Sequence, residues 1–354
     1  MMNQNEFFEY MRDHIRTYLP AEYADAEIEL VENVKHNDVH LTALLIRNEE
    51  ETMVPNIYLD TFFREYQHGM PIEDCLEHMA EIRVKEGENM KMQVGAVQDI
   101  YDYDKVKERL QLRLCDYEGN KERLQGAVYQ KQGDFALTYY VIIASNEKGE
   151  AVYQIKEDMV ERWGVDQETV HNDALLADKK RGVTLKDIDD VLGNYFYGSS
   201  VQENLLLREE PLDLDSDSPY LFVLSNESGQ NGAGVLYQPG VMEKIADLMD
   251  GDYYVLPSSI HELMILPANP NIQAETLQSF VREINANKVD IEDQLSDKVQ
   301  YYDNTNRVLV NAVEMERGEW QKDFGEASPD LPSNTPKKEN RKAPARMQEK
   351  GIKR

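Results

Sequence analysis

The feature that most restricts what this chain can fold into is the shortness of its apolar runs. The longest, Tyr139-Tyr140-Val141-Ile142-Ile143-Ala144, is the length of one β-strand. A bilayer span needs roughly 18–20 consecutive apolar residues, so no membrane association is expected. Short alternating segments bury their apolar faces only by stacking many small elements around a shared core. The 354 residues suffice for one large domain or two of ordinary size.

Phe7, Phe8, Met11 and Ile15 recur at helical spacing and predict an amphipathic first helix closed by Pro20. Residues 27–35 and 39–46 read as strands around the turn His36-Asn37-Asp38, and 53–58 as a third strand before a helix over 59–67. Gly69 stops that helix and Pro71 opens another to about residue 84. Residues 106–114 read as helical. Residues 135–145 are strongly β-like and turn through Asn146-Glu147-Lys148-Gly149 into 151–156.

Gly164 is placed to cap a helix ending at Trp163, and Asp166 to start the next. Residues 220–225 and 232–237 read as a hairpin, followed by a helix from Pro239. Strands over 253–256 and 260–266, a helix over 274–287 and a hairpin over 299–302 and 307–310 complete the chain's ordered part. In the pairs Tyr139-Tyr140 and Tyr253-Tyr254, strand alternation predicts that one ring faces outward.

The order strand, Asn-Glu turn, strand, helix occurs at Asn48-Glu49, Asn146-Glu147 and Asn226-Glu227, with spacings of 98 and 80 residues. Those spacings are too unequal for a solenoid and read as recurrence of a common motif. Such hairpin-helix units predict an α+β protein of antiparallel sheets with flanking helices, in lobes over 1–115 and 116–320. Residues 321–354 are expected to be a disordered basic tail. Pro329, Pro332, Pro336 and Pro344 punctuate it, and few large apolar side chains remain to offset ordering entropy.

The sequence carries 67 acidic and 38 basic residues, a formal charge of −29. Residues 337–354 hold a net +6, which leaves −35 on residues 1–336. A field of that sign repels nucleic acid and anionic lipid within about a Debye length, ~8–10 Å at moderate salt. It favours a basic or DNA-handling protein as partner over direct nucleic-acid binding. Two cysteines, Cys75 and Cys115, make neither a disulfide framework nor a four-cysteine zinc site. The opening Met1-Met2-Asn3-Gln4-Asn5-Glu6 lacks the features of a secretion signal, so a cytoplasmic location is expected.

The sharpest chemical candidate is Leu256-Pro257-Ser258-Ser259-Ile260-His261-Glu262, which gathers two hydroxyls, an imidazole and a carboxylate. Ser258, Ser259, His261 and Glu262 are the candidate catalytic residues. In a strand Ser259 and His261 share a face but stand about 6.5–7 Å apart, whereas a base reaches its nucleophile at roughly 2.6–3.2 Å. No Gly-x-Ser-x-Gly elbow occurs. A zinc-protease motif is ruled out because Ile265 stands where the second histidine is needed.

Asp213-Leu214-Asp215-Ser216-Asp217 starts like a calcium loop but continues with Ser218 and Leu224 where Gly and Glu are required. Gly229-Gln230-Asn231-Gly232-Ala233-Gly234 opens no helix and lacks a following Gly-Lys-Ser/Thr, so it reads as a turn with close backbone approach rather than a phosphate loop. Asn226, Gly232 and Tyr237 around it are candidate binding positions. No metal-ligand spacing or cofactor motif is present, and no cofactor is expected.

The blocks Pro55-Asn56-Ile57-Tyr58-Leu59, Tyr220-Leu221-Phe222-Val223-Leu224-Ser225-Asn226, Gly232-Ala233-Gly234-Val235-Leu236-Tyr237 and the 256–262 segment resemble an uncharacterised family of clostridial gut bacteria. Glu283-Ile284-Asn285 and Leu295-Ser296-Asp297 are similar to its closing segment, so the resemblance covers roughly 1–312. Residues 220–266 also resemble, more distantly, an uncharacterised family of bacilli. The first family has no known activity and supplies no catalytic residues. Its members often stand near mobile elements, which implies an accessory or anti-defence role. The expected function is therefore a non-enzymatic acidic protein-binding protein, with a hydrolase or small-ligand enzyme centred on 256–262 as the alternative.

Overall fold

Asn3 begins the fold: its side chain accepts the Glu6 amide at 3.0 Å, and the Glu6 carboxylate accepts the Asn3 amide at 3.0 Å. This reciprocal cap starts α1 (Gln4–His14), whose Phe7, Phe8 and Met11 are buried. The computed structural model describes residues 2–51, 54–146, 149–197, 203–214 and 220–319, with backbone alone for 89–98, 145–146, 149 and 197. The expected tail over 321–354 and the calcium-like residues 215–217 lie outside the described residues.

β1 (Glu27–Val34), β2 (His40–Arg47) and β3 (Ile57–Tyr58) form an antiparallel sheet in that order. α1, α2 (Leu59–Gln67) and α3 (Ile72–Gln98) join it in a first core of Phe7, Met11, Leu44, Ile46, Leu59 and Met79. Arg83 of α3 is fully buried here. Its guanidinium donates to the Ile46 carbonyl at 2.8 Å, to the Tyr23 hydroxyl at 3.2 Å and to the Glu51 carboxylate, and it lies 4.7 Å over the Tyr23 ring. Gly87, one turn on, makes room: a Cβ there would stand 2.3 Å from the Arg83 guanidinium.

After α4 (Tyr103–Val106), β4 (Leu110–Asp116), β5 (Tyr129–Gln132), β6 (Phe135–Asn146) and β7 (Gly149–Gln154) form the second sheet. β6 is its spine, pairing antiparallel with β4, β5 and β7. The stretch 106–114 is thus mostly strand rather than helix. Leu110, Leu112 and Leu114 alternate inward, and pairing with β6 fixes the extended form. α5 (Glu157–Trp163) ends at Gly164 in the left-handed region (φ 69°), and α6 (Gln167–Lys179) is capped by Asp166, whose carboxylate accepts the Thr169 amide at 2.7 Å.

The third sheet gathers β8 (Thr184–Asp187), β9 (Phe222–Ser225), β10 (Tyr253–Leu256), β11 (Leu263–Pro267), β12 (Gln300–Asp303) and β13 (Val308–Asn311). Its order is β13-β12-β10-β11-β9-β8, antiparallel throughout. Between its strands run α7 (Ile188–Tyr197), α8 (Val241–Met249) and α9 (Ala274–Lys288), and α10 (Ala312–Glu316) follows β13. The architecture is α+β with antiparallel sheets, and Met1–Trp320 form one compact unit.

The second and third sheets share one large core, with Leu112, Tyr139 and Val141 meeting Phe222, Tyr253 and Ile265. The opposite face of β10 packs Tyr254 and Leu256 against Ala274 and Val281 of α9. Both rings of Tyr139-Tyr140 and of Tyr253-Tyr254 are buried, against the expectation of one outward ring, because the shared core and α9 cover the two faces of β10 and the guanidinium groups of Arg113 and Arg123 cover the Tyr140 ring. Residues 232–237 form a 3-10 helix, not a strand. A Cβ at Gly234 would stand 3.0 Å from the Leu112 carbonyl oxygen, so this turn lies directly on β4. Among the described residues, no helix is long and apolar enough to cross a membrane.

Candidate functional site

The first two sheets and loops of the C-terminal half line one open cleft of about 680 Å³, within the ~300–1,000 Å³ range of small-ligand sites. The turn after β1 supplies Lys35 and His36, β3 supplies Tyr58, β4 supplies Arg113, and β6 supplies Thr138 and Tyr140. Glu150 comes from β7, Arg123 from the β4–β5 connection, Asn231 from the loop after β9, and His261, Glu262 and Asp293 from loops of the C-terminal half.

The floor follows from strand alternation. Leu112 and Tyr139 face the shared core, so their neighbours Arg113 and Tyr140 face the other way, into the cleft. Arg113 lies 4.8 Å over the Tyr140 ring, donates through Nε to the Gln111 side-chain amide oxygen (Oε1) at 2.7 Å, and pairs with Glu150 at 3.2 Å. Arg123 donates to the Tyr140 hydroxyl and lies 3.3 Å from His36 Nδ1. Burial makes the Tyr140 phenol harder to ionise, partly offset by the two guanidinium groups. Among the described residues, no carboxylate lies within ion-pair distance of Arg123 or of Lys35, which rests 4.5 Å over the Tyr58 ring.

A three-residue turn ties this wall together. His36 Nε2 lies 2.8 Å from the Gln294 carbonyl, and burial together with Arg123 pushes the imidazole down to about 4. It is neutral, with the proton on Nε2, since Nδ1 faces a donor. Asn37 donates to the Ile291 and Gln294 carbonyls, each at 2.9 Å, and the Asp38 carboxylate accepts the Glu122 and Arg123 amides, each at 2.9 Å. Asn37 and Asp38 adopt positive φ of 59° and 49° to aim both side chains outward from the turn.

The adjoining wall contains part of the sequence's candidate segment. Residues 256–262 leave β10, and only from Leu263 does β11 begin, so His261 and Glu262 sit on a loop rather than in the expected strand. That loop lies along 293–296: the Ile260 amide donates to the Asp293 carbonyl, and the Leu295 amide to the Ser258 carbonyl. Ser259 is buried, and its Oγ accepts the His261 amide at 3.0 Å. His261 Nδ1 accepts the Asn231 amide at 3.1 Å, which leaves the proton on Nε2, 3.1 Å from the Asp293 carboxylate. Burial raises the Glu262 carboxyl above its usual range, partly offset by His261 and the Ser259 hydroxyl.

Of the seven candidates, His261 and Glu262 line the cleft. Asn226 shapes the neighbouring loop, its side chain bonding Ser228 and Gln230. At Gly232 a Cβ would stand 2.2 Å from Ser225 Oγ and 2.7 Å from the His261 carbonyl oxygen, so glycine is required for the close approach that seats the 261 loop. Tyr237 packs against the shared core. Sequence reasoning missed Arg113, Arg123, Tyr140 and the His36 turn. The one available signal was the polar alternation of Gln111 and Arg113 in a stretch read as helix.

The two thiols play no part: burial pushes Cys75 up to about 11 and Cys115 up to about 12. Among the described residues, no group of three or more His, Cys, Asp or Glu is placed to hold a metal ion. The model of a family of unknown function (DUF5688) matches residues 4–304. No curated protein and no solved structure matches the chain.

Proposed function

The chain belongs to the DUF5688 family, whose function is unknown, and from the cleft itself we propose that it is a small-molecule-binding protein whose ligand places an anionic group at Arg123. The observation that carries this reading is the Arg113–Tyr140–Arg123 cluster. It holds a half-buried guanidinium against two neutral partners, the Tyr140 hydroxyl and His36, with no carboxylate in ion-pair distance among the described residues. A guanidinium removed from bulk water without a counter-charge is costly, and a planar anionic group meets its donors two at a time. Binding without turnover is supported by His261, whose ring nitrogens are engaged by Asn231 and Asp293 rather than by a serine.

The test is thermal unfolding against a panel of carboxylates, amino acids, short peptides, phosphates and nucleotides. A ligand at about 100 times its Kd stabilises by about 2.7 kcal/mol, a rise of several degrees that Arg123→Gln should remove. If no panel member raises the midpoint, or if the rise persists in the variant, the reading fails.

A second reading has its own observation, the −29 charge. It is the engagement of a basic or DNA-handling protein by the acidic body, in keeping with an accessory or anti-defence role near mobile elements. Its mark is a stoichiometric partner captured at low salt and lost as salt rises. A complex indifferent to salt would count against it.

A further inference from the structure

Apart from the Arg113–Glu150 pair, the charges of the cleft are sorted by wall, and each wall carries a group with no counter-charge in ion-pair distance among the described residues. Lys35 and Arg123 stand on the side built by the first and second sheets. Glu262 stands on the C-terminal loop wall, and among the described residues no lysine, arginine or histidine nitrogen lies within ion-pair distance of its carboxylate. Its neighbour His261 offsets it only in part, because Asn231 and Asp293 hold the imidazole in place.

A simple anion fits only half of this site. Glu150, Glu262, Glu292 and Asp293 line the cleft together with Lys35, Arg113 and Arg123 while both histidines accept from a donor at Nδ1, so carboxylates outnumber cations. The whole chain adds a field of the same sign, −29. An anion would enter against that field and leave Glu262 uncompensated. A ligand with no net charge and two separated charged ends enters unopposed and satisfies both walls.

Resting on the reading of Arg123 as an anion site, we propose that the ligand is a zwitterion of the amino-acid class, its carboxylate on Arg123 and its ammonium on Glu262. Free amino acids and short peptides share that chemistry. A cleft of about 680 Å³ matches the roughly 300–1,000 Å³ of sites for drug-sized ligands, so a peptide of a few residues is the occupant that fills it. Tyr58, Leu41 and Ile260 supply apolar surface in the same cleft.

The experiment uses the full chain and affinity selection from a pool of all tripeptides, read by mass spectrometry, with free amino acids in parallel. Retained members are then titrated calorimetrically in free, N-acetylated and C-amidated form. The expected result is retention from the free pool, with at least a tenfold loss on either modification. Glu262→Gln should erase the preference for the free amine and keep the dependence on the carboxylate. Arg123→Gln should do the converse, and Arg123→Lys should restore part of the affinity. Unfolding midpoints of all three variants separate loss of ligand from loss of fold.

Retention of free amino acids in place of tripeptides, with the same tenfold losses, supports the dipolar recognition and identifies the source. If N-acetylated peptides bind as tightly as free ones while Arg123→Gln abolishes binding, the ammonium site is overturned and the anion reading stands. If no pool is retained, the zwitterion is overturned. The anion reading falls with it only if the carboxylate and phosphate panel also leaves the unfolding midpoint unchanged.

Discussion

Two arginines in this protein face opposite situations. Arg83 in the first core is wholly buried, and its donors reach a carbonyl, a phenol and the Glu51 carboxylate while a ring covers its face. Arg123 sits at the edge of an open cleft, bonded to a phenol and an imidazole and to no carboxylate among the described residues. The first is a closed circuit in which every partner comes from the chain. The second is an open one. A charge fully served by its own protein reads as structure, and one left half-served beside a cavity reads as a place for something else.

The largest effect should come from opening the closed site. Arg83→Met removes the guanidinium from Glu51, whose side chain is only 10% exposed, and should cost about 3–5 kcal/mol as breaking a buried pair does. Urea unfolding gives the number. A cost below about 1 kcal/mol would erase the contrast between the two arginines.

An intermediate effect should appear with pH. In the unfolded chain the His36 imidazole binds a proton near pH ~6.5, while in the fold it does so only at about 4. Between those values the unfolded state holds more protons, so this group's contribution is intact above pH ~6.5 and is lost as the pH falls toward 4. Discounted for its partial exposure, the loss is about 2 kcal/mol.

Asp178 acts with the opposite sign. Burial against β4, where it accepts the Leu112 amide, lifts it from 3.8 to about 6. Its contribution is therefore intact below pH ~4 and lost as the pH rises through about 6. Unfolding midpoints at several pH values should show that His36→Gln flattens the acid limb and Asp178→Asn steepens it. Identical pH profiles for the two variants would contradict the assignment of either shift.

The smallest effect should belong to Arg123 itself. Arg123→Gln gives up hydrogen bonds to two neutral partners, Tyr140 and His36, and also removes a half-buried charge that no carboxylate offsets, so its stability should change by no more than about 1 kcal/mol. A loss as large as that of Arg83→Met would make Arg123 a structural residue.

Much of the fold was legible because local signals and tertiary packing agree. The helix over 59–67 begins and ends where Leu59–Gln67 does, Asp166 caps α6, and Gly164 closes α5 in the left-handed region. The failures fall where packing overrode local pattern. β4 takes its extended form from β6, and the glycines at 232 and 234 serve a 3-10 turn pressed onto β4 rather than a strand. The third hairpin-helix unit, around Asn226, dissolves for that reason.

The site was legible only in part. His261 and Glu262 stood out because they are adjacent to each other and to two serines. Arg113, Arg123, Tyr140 and His36 are scattered through separate segments, and only the register of β4 with β6 and the aim of the 36–38 turn bring them together. Misreading 106–114 as helix also hid the alternation that turns Arg113 away from the core.

The most direct measurement of the contrast between the two arginines is phenylglyoxal modification of the native full chain, mapped by peptide mass spectrometry over time. Arg123 should be modified in the folded protein, more slowly once a ligand that raises the unfolding midpoint is added, and Arg83 should react only on unfolding. Arg123 as unreactive as Arg83, or modified at the same rate with and without that ligand, would contradict that contrast.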